Sequence, residues 1–346
     1  MTQTSSETSR KDNKVHKRVL GKSGLNSSEV GLGCWQFGGD FGPITESEVS
    51  AILDDAINCG VNFWDTADVY GAGQSETYIG NYLQAHPELK QGENKVVVAT
   101  KLGRSAELYP NNYSKADMRQ SIEKSLKRLQ VDCLDLIQLH CIPPGYLKDK
   151  TVFKDLDELK QEGLIHAYGA SVETIEEAQL CLQHEGLSSL QMIINVFRQD
   201  AVSKIFEQAQ NSQVGIIARL PLASGLLAGK YTKDTRFTEQ DHRNYNCDGQ
   251  MFNVGETFSG LPFRTGIELV NELKSLMPTE QELATNCLRW LLDHDAVTSV
   301  IAGVSKAGQL GRNAKASSLP HLSEELHERL HEFYKNKVRP LVRGDI

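Results

Sequence analysis

The stretch Asn62-Phe-Trp-Asp65-Thr-Ala-Asp68-Val-Tyr70-Gly71 carries an apolar run into a carboxylate, then breaks into a turn that holds a tyrosine. The design returns in Val96-Val-Val-Ala-Thr-Lys101 and in Leu136-Ile-Gln-Leu-His140. Each is a short apolar run ending in one chemically capable side chain. Strands buried on both faces read this way, as nearly continuous hydrophobic runs rather than alternating ones. Outward from these three, similar runs centre near residues 30–33, 61–65, 95–101, 134–140, 167–171, 192–196, 214–220 and 299–302.

Amphipathic segments lie between the runs. Over residues 46–59, Val49, Ile52, Leu53, Ala56 and Ile57 share one helical face. Thr45 with Glu48 forms a capping box ahead of it, and Gly60 stands where a C-terminal glycine belongs. Ser114 with Asp117 and Thr279 with Glu282 repeat the N-terminal signal, and residues 201–211 supply another helix. Before the first strand, residues 15–20 and 25–30 flank a Gly21-Lys-Ser-Gly24 turn, the pattern of a β-hairpin.

Eight strands alternating with helices imply a parallel α/β sheet with right-handed crossovers, as a closed barrel or as a doubly wound sheet. The cadence is regular to the seventh strand, then gives way to a polar stretch over 231–263, read as a long functional loop. A barrel needs about 250 residues, so 346 hold one barrel domain over 15–346 plus a polar, disordered tail over 1–14.

A net charge of −8, spread without acidic or basic blocks, argues against nucleic-acid and anionic-membrane partners. No 18-residue apolar run occurs. Seven cysteines, with no CxxC or zinc spacing, read as buried free thiols in a reducing, cytoplasmic compartment. Gly31-Leu-Gly33 and Gly71-Ala-Gly73 do not complete a dinucleotide fingerprint, and no metal-ligand cluster accompanies Asp65 and Asp68.

In a barrel, Asp65, Lys101 and His140 at successive strand ends, and Tyr70 in the loop after the second, meet at the C-terminal mouth. A free phenol titrates near pH ~10. A neighbouring ammonium lowers that value, and Asp65 keeps the Lys101 ammonium charged. Tyr70 can then give a proton while His140 orients a carbonyl oxygen.

These four residues, with Gly73-Gln-Ser-Glu76, resemble the catalytic tetrad and signature of the aldo-keto reductase superfamily. The resemblance spans roughly residues 15–316. It implies a (β/α)8 TIM barrel with the N-terminal hairpin and the long loop after strand seven. It also implies reversible reduction of aldehydes or ketones, with hydride from NADPH and the proton from Tyr70. Ser171 and Gln191, with Asn195, then hold the nicotinamide carboxamide. Where the family usually has Ser-Asn, this chain has Ser171-Val172. The turn Arg219-Leu-Pro221-Leu222-Ala-Ser-Gly225-Leu226-Leu-Ala-Gly-Lys230 resembles the phosphate-proximal turn, with Arg219 where many relatives stack an aromatic. A guanidinium plane also stacks, but its charge disfavours the oxidised, cationic ring. In Gly303-Val-Ser305-Lys306-Ala-Gly-Gln309-Leu-Gly-Arg312-Asn313, helix-opening amides and Lys306 are expected to grip the 2′-phosphate, which selects NADP+ and NADPH over NAD+ and NADH. Trp35, beside Tyr70 and His140, is expected to line an apolar substrate pocket, and Phe37 either lines it or packs in the core.

Two other functions fit the resemblance. Potassium-channel β subunits resemble the same family and keep the tetrad, so a non-catalytic NADPH-binding regulatory subunit or redox sensor is one. An NAD-dependent sugar or polyol dehydrogenase is the other. The partner expected in each enzymatic reading is a small carbonyl or alcohol, and nothing in the sequence sets an oligomeric state.

Overall fold

The computed structural model describes residues 15–39, 42–304 and 306–346, so the expected tail over 1–14 and the site candidate Ser305 lie outside the described residues. The expected hairpin is present. Strand β1 (Lys17–Val19) pairs antiparallel with β2 (Asn26–Ser28) across a turn at Gly21–Ser23.

The chain then alternates strands and helices. It runs β3 (Val30–Gly33), α1 (Glu46–Asn58), β4 (Phe63–Asp65), α2 (Gln74–Ala85), β5 (Val97–Leu102), α3 (Lys115–Leu129) and β6 (Leu134–His140). Next come α4 (Pro144–Asp149), α5 (Thr151–Gln161), β7 (Ile165–Ser171), α6 (Ile175–Cys181) and β8 (Ser189–Ile193). Then follow α7 (Asp200–Lys204), α8 (Phe206–Asn211), β9 (Gly215–Arg219), α9 (His242–Tyr245) and α10 (Phe263–Lys274). The last elements are α11 (Leu283–Leu292), β10 (Val297–Gly303), α12 (Gln309–Ser318) and α13 (Glu324–Phe333). The eight strands β3 to β10 are parallel and close into a barrel, β10 pairing with both β9 and β3. The doubly wound alternative is thereby excluded.

Strand parity sorts the side chains into two layers. Phe63, Val97, Ala99, Leu136, Ala167, Ile217 and Ile301 fill the barrel interior together with Leu20 and Leu25. The hairpin thus plugs the N-terminal end of the barrel. A larger apolar layer packs the outward faces of the strands against the helices. At Gly169 an added Cβ would lie 2.0 Å from the Ser189 hydroxyl, so the wall between β7 and β8 needs a glycine there.

The cap signals hold at α1, where Thr45 and Glu48 form both halves of the capping box, and at α3, where the Ser114 side chain accepts from the Asp117 amide. Three local expectations do not. Thr279 caps nothing, because α11 starts at Leu283 with Glu282 at the N-cap. The helix over 201–211 is split at Ile205, whose φ of −123° leaves the helical range. The sixth strand lies at Ser189–Ile193 rather than 192–196. Beyond Ile193 the Asn195 side chain accepts from the Phe197 amide at 2.9 Å and the chain turns off the ladder.

Although polar in composition, the excursion over 231–263 is anchored by aromatic rings. Phe237 lies 5.4 Å from Tyr231 and 5.5 Å from Phe263, and Phe258 lies 4.9 Å from Phe263. All seven cysteines are free, but only Cys34, Cys181 and Cys287 are buried, and Cys133 is exposed. Among the described residues no helix is long and apolar enough to cross a membrane.

Leu20→Ala tests the plug. Deleting a buried leucine side chain typically costs about 2–5 kcal/mol. We expect a urea midpoint lowered accordingly, and a loss under about 1 kcal/mol would show that the hairpin is not part of the core.

Candidate active site

Two residues beyond the interior-filling positions, the same inward faces carry polar groups. Asp65 follows Phe63, Lys101 follows Ala99, Gln138 and His140 follow Leu136, and Arg219 follows Ile217. Ladder register brings neighbours level: Lys101 opposite Gln138, His140 opposite Ser171, Ser171 opposite Gln191. Period-two alternation on eight adjacent strands therefore assembles the site at the C-terminal rim.

Lys101 is at its centre, its side chain only 1 % exposed. The ammonium donates to Asp65 Oδ1 at 2.5 Å, to the Thr66 carbonyl at 2.8 Å and to the Tyr70 hydroxyl at 3.3 Å. Asp65 Oδ2 accepts from Gln191 Nε2 at 2.7 Å and Gln138 Nε2 at 3.2 Å. Burial alone would lower the Lys101 pKa, but Asp65 and Tyr70 outweigh it and hold it above its ordinary value. The lysine stays charged.

The phenol departs from expectation. Burial raises the Tyr70 pKa above its ordinary value, and the Lys101 ammonium offsets that effect only in part. The ammonium acts in the expected direction, but desolvation of a phenolate is the larger force. His140 stands edge-on to Tyr70, with ring centroids 6.1 Å apart. Burial, reinforced by Lys101, Arg104 and Arg219, pushes its pKa well below the ordinary value, and its Nδ1 is buried without a hydrogen-bond partner. A neutral imidazole results.

The loop carrying Tyr70 is seated by glycine. Gly71 has φ +59°, and a Cβ there would fall 2.6 Å from the Gly38 carbonyl oxygen. This close approach presses the loop after β3 against the loop after β4. Trp35 stacks on Tyr70 at 6.1 Å and meets the His242 ring at a tilt of 40°, with centroids 5.0 Å apart.

A cavity of about 750 Å³ opens over these strand ends. Asp65, Tyr70, His140, Trp35, Ser171 and Gln191 line it, as do Arg219, Pro221, Leu222, Gly225, Lys230, Gly303, Gln309 and Asn313. Lys101 lies beneath the lining, under Asp65 and Tyr70. Three expected cofactor residues do not reach the cavity. Asn195 is fully buried and spends its amide on the Leu220 carbonyl, the Ser259 hydroxyl and the Phe197 amide. Leu226 packs in the core at 1 % exposure. Lys306 is exposed outside the cavity, and the nearby Gly308 amide donates to Asp55 Oδ2 at 2.8 Å, which sets a carboxylate beside the expected phosphate grip. Phe37 is core, 1 % exposed.

Other groups in the site escaped the sequence. Gln138 holds Asp65, and its signal was a polar residue two before His140 in an apolar strand. Arg104 and the loop residues His242, Tyr245, Phe252 and Glu256 line the cavity without any local signal, and Arg312, which the sequence placed in the expected phosphate segment, lines it too. Glu256 ion-pairs with Arg219 Nη1 at 2.5 Å, offsetting the charge that the sequence left bare. Val172, where the family usually has asparagine, is buried and accepts from Arg219 Nη2 at 3.4 Å through its carbonyl.

A buried phenol against an ammonium–carboxylate pair, with a neutral imidazole beside it at the rim of a (β/α)8 barrel, is the arrangement of a class of carbonyl oxidoreductase. The sequence model described as Aldo/keto reductase family matches residues 29–335, and this chain belongs to that family. It is 31 % identical over 334 residues to the uncharacterized oxidoreductase YqkF of Bacillus subtilis, covering 94 % of this chain and 98 % of that protein. It is 26 % identical to the NADH-specific methylglyoxal reductase of Escherichia coli K12, covering 88 % and 94 %. The solved glycerol dehydrogenase AKR11B4 from Gluconobacter oxydans superposes with a TM-score of 0.74 at 25 % identity, over 97 % of this chain and 99 % of that one. Members of the family use nicotinamide cofactors.

Behind Tyr70, Asp68 is buried beside Glu76, which Arg128 and Thr100 hold at 2.6 and 2.5 Å. Burial first, then the Glu76 charge, raises the Asp68 pKa from 3.8 to about 7. The unfolded chain loses this proton near 3.8 and the fold only near 7, so stability falls as pH rises between those values. Asp68→Asn is therefore expected to raise Tm more at pH 8 than at pH 5. An equal effect at both would contradict the assignment.

Proposed function

We propose that this protein reduces small aldehydes or ketones to alcohols, and runs the reverse oxidation, with NADPH as the preferred reductant. The observation that carries the reading is the Lys101 ammonium touching both Asp65 Oδ1 at 2.5 Å and the Tyr70 hydroxyl at 3.3 Å. A nicotinamide dinucleotide fits the donor set. The cavity runs from Ser171 and Gln191 at the strand ends to Gln309, Arg312 and Asn313 at the start of α12. Ser171 Oγ and the Gln191 amide, 3.4 Å apart, offer carboxamide partners. When bound, the nicotinamide supplies or accepts the hydride.

The protein side of the reaction follows from the geometry. His140, neutral, donates a hydrogen bond that fixes the carbonyl oxygen. Tyr70 gives its proton to that oxygen as negative charge grows there. Lys101 stabilises the phenolate left behind, and Asp65, held by Gln191 and Gln138, keeps the lysine aimed. Trp35, His242 and Phe252 line the cavity over the site with aromatic rings. Run backwards, the same contacts take a proton from an alcohol.

For the NADPH preference, Arg312 on α12 is the stronger 2′-phosphate candidate, because it lines the cavity while Lys306 stands outside it.

Three results test the reading. With NADPH and a panel of small aldehydes, reduced-nicotinamide absorbance falls, and Tyr70→Phe cuts kcat by about 10²–10⁴; near-native turnover by that variant would overturn the mechanism. Activity stays flat between about pH 6 and 9, because His140 is already neutral and Tyr70 keeps its proton until higher pH, being lost only as pH rises through the raised phenol pKa. Arg312→Ala weakens NADPH binding about tenfold and NADH binding less than about twofold; equal losses would remove the NADP preference.

A further inference from the structure

Around the rim, beyond the groups that handle the proton, positive charge exceeds negative. Arg104 Nη2 pairs with Glu173 Oε1 at 2.8 Å, and Arg219 Nη1 pairs with Glu256 Oε1 at 2.5 Å. Arg198 stands behind them, 2 % exposed, and among the described residues it donates only to backbone carbonyls, those of Glu173 at 3.4 Å and Asp345 at 2.9 Å. Its Nη1 and the Nε of Arg219 are buried without a hydrogen bond. Among the described residues, three guanidiniums thus have two carboxylates in direct ion pairs, and Asp200 and Glu256 act on Arg198 only through space. Asn253 Nδ2 takes up the second oxygen of Glu173 at 3.2 Å, so that carboxylate has little left to give.

The excess is felt nearby. It falls on Arg198, whose pKa burial and then Arg219 pull down to about 10, whereas Glu256 and Glu173 outweigh burial at Arg104 and Arg219 and hold both above the ordinary value. Cys141, adjacent in the chain to His140, does not balance the charge: burial raises its thiol to about 11, against the pull of Arg219 and Arg104, so it stays neutral. Lys101 contributes nothing to the excess, because Asp65 matches it.

Arg104 and Arg219 both line the cavity, as His140 does. A buried excess positive charge is costly until a counter-charge arrives, and guanidinium forks bind carboxylate or phosphate with directional, charge-assisted hydrogen bonds. In the reductase reading the cofactor's phosphates would be held at the far end of the cavity, by Gln309, Arg312 and Asn313 on α12. An anion beside Arg104 must therefore belong to the molecule whose carbonyl meets His140 and Tyr70.

Building on the reductase reading above, we infer that the preferred substrates are short carbonyl compounds bearing a carboxylate or phosphate, held by Arg104 at the edge of the arginine cluster. The reaction itself is unchanged. The carbonyl carbon accepts hydride from the reduced nicotinamide, the oxygen accepts the Tyr70 proton, and the anionic group passes through intact.

The test compares matched pairs: succinic semialdehyde with its methyl ester, and glycolaldehyde phosphate with glycolaldehyde. We expect kcat/KM to favour the anion by about tenfold or more in at least one pair, mainly through KM, with the preference shrinking at high salt. The pair that shows it tells carboxylate from phosphate. Arg104→Gln should bring the anion-to-neutral ratio to about two or below, Arg104→Lys should restore part of it, and Arg104→Gln/Glu173→Gln, which leaves no orphaned carboxylate, should match the single variant. Equal kcat/KM within both pairs overturns the inference while leaving the reductase reading intact, and so does a preference that survives both glutamine variants. No turnover of any of the four compounds with either nicotinamide overturns the reductase reading, and this inference with it.

Discussion

An ammonium group sealed inside a barrel wall must be matched in charge and in hydrogen bonds, and Lys101 is matched in both. Its three N–H donors reach a carboxylate, a backbone carbonyl and a phenol. The carboxylate is saturated in turn, because Gln138 and Gln191 occupy the oxygen that Lys101 leaves. Removing one member of such a buried pair typically costs about 3–5 kcal/mol, so the lysine is fixed in charge and direction together. The chemistry of Tyr70 follows from that rigidity. Its phenol is desolvated enough to hold its proton, and close enough to a cation that losing the proton to a substrate oxygen is supported.

The fold supplies this arrangement through alternation and register. The face of each strand that fills the barrel lower down with Phe63, Ala99, Leu136 or Ile217 presents Asp65, Lys101, His140 or Arg219 at the top. The hairpin closes the other end with Leu20 and Leu25. The excursion after β9 completes the mouth. It brings His242 against Trp35, Phe252 against the same ring at 6.3 Å, and Glu256 onto Arg219. The proposed acid-base groups thus come from strand ends and the loop just after β4, while much of the remaining cavity lining comes from loops.

That division explains what could be read from residue order. Eight buried strands, the hairpin and the α1 cap are written in short-range pattern, and so is the string of Asp65, Tyr70, Lys101 and His140. Barrel closure was not local information, since it depends on β10 meeting β3 across some 270 residues of chain. The sixth strand was misplaced because residues 192–196 are as apolar as a strand, while the side chain of Asn195, which ends the ladder, has no signature of its own. Asn195 and Leu226, expected at the cofactor from the string, are buried away from the cavity in space. Lys306 is a cation near a helix start, but the competing carboxylate of Asp55 arrives from a helix some 250 residues earlier. Arg104 and Glu256 read as ordinary surface charges until the barrel gathers them. The net direction of the Tyr70 shift was also hidden, because charge partners can be inferred from motif whereas depth of burial cannot.

The most direct test of the account is the ionisation of Tyr70 itself, followed by NMR of 13C-labelled tyrosine, with Tyr70→Phe identifying its resonance among the ten. The account predicts that the phenol titrates above its ordinary value near pH ~10 in the native protein, and higher still in Lys101→Met. A phenol that titrates at the same pH with and without the lysine would contradict it.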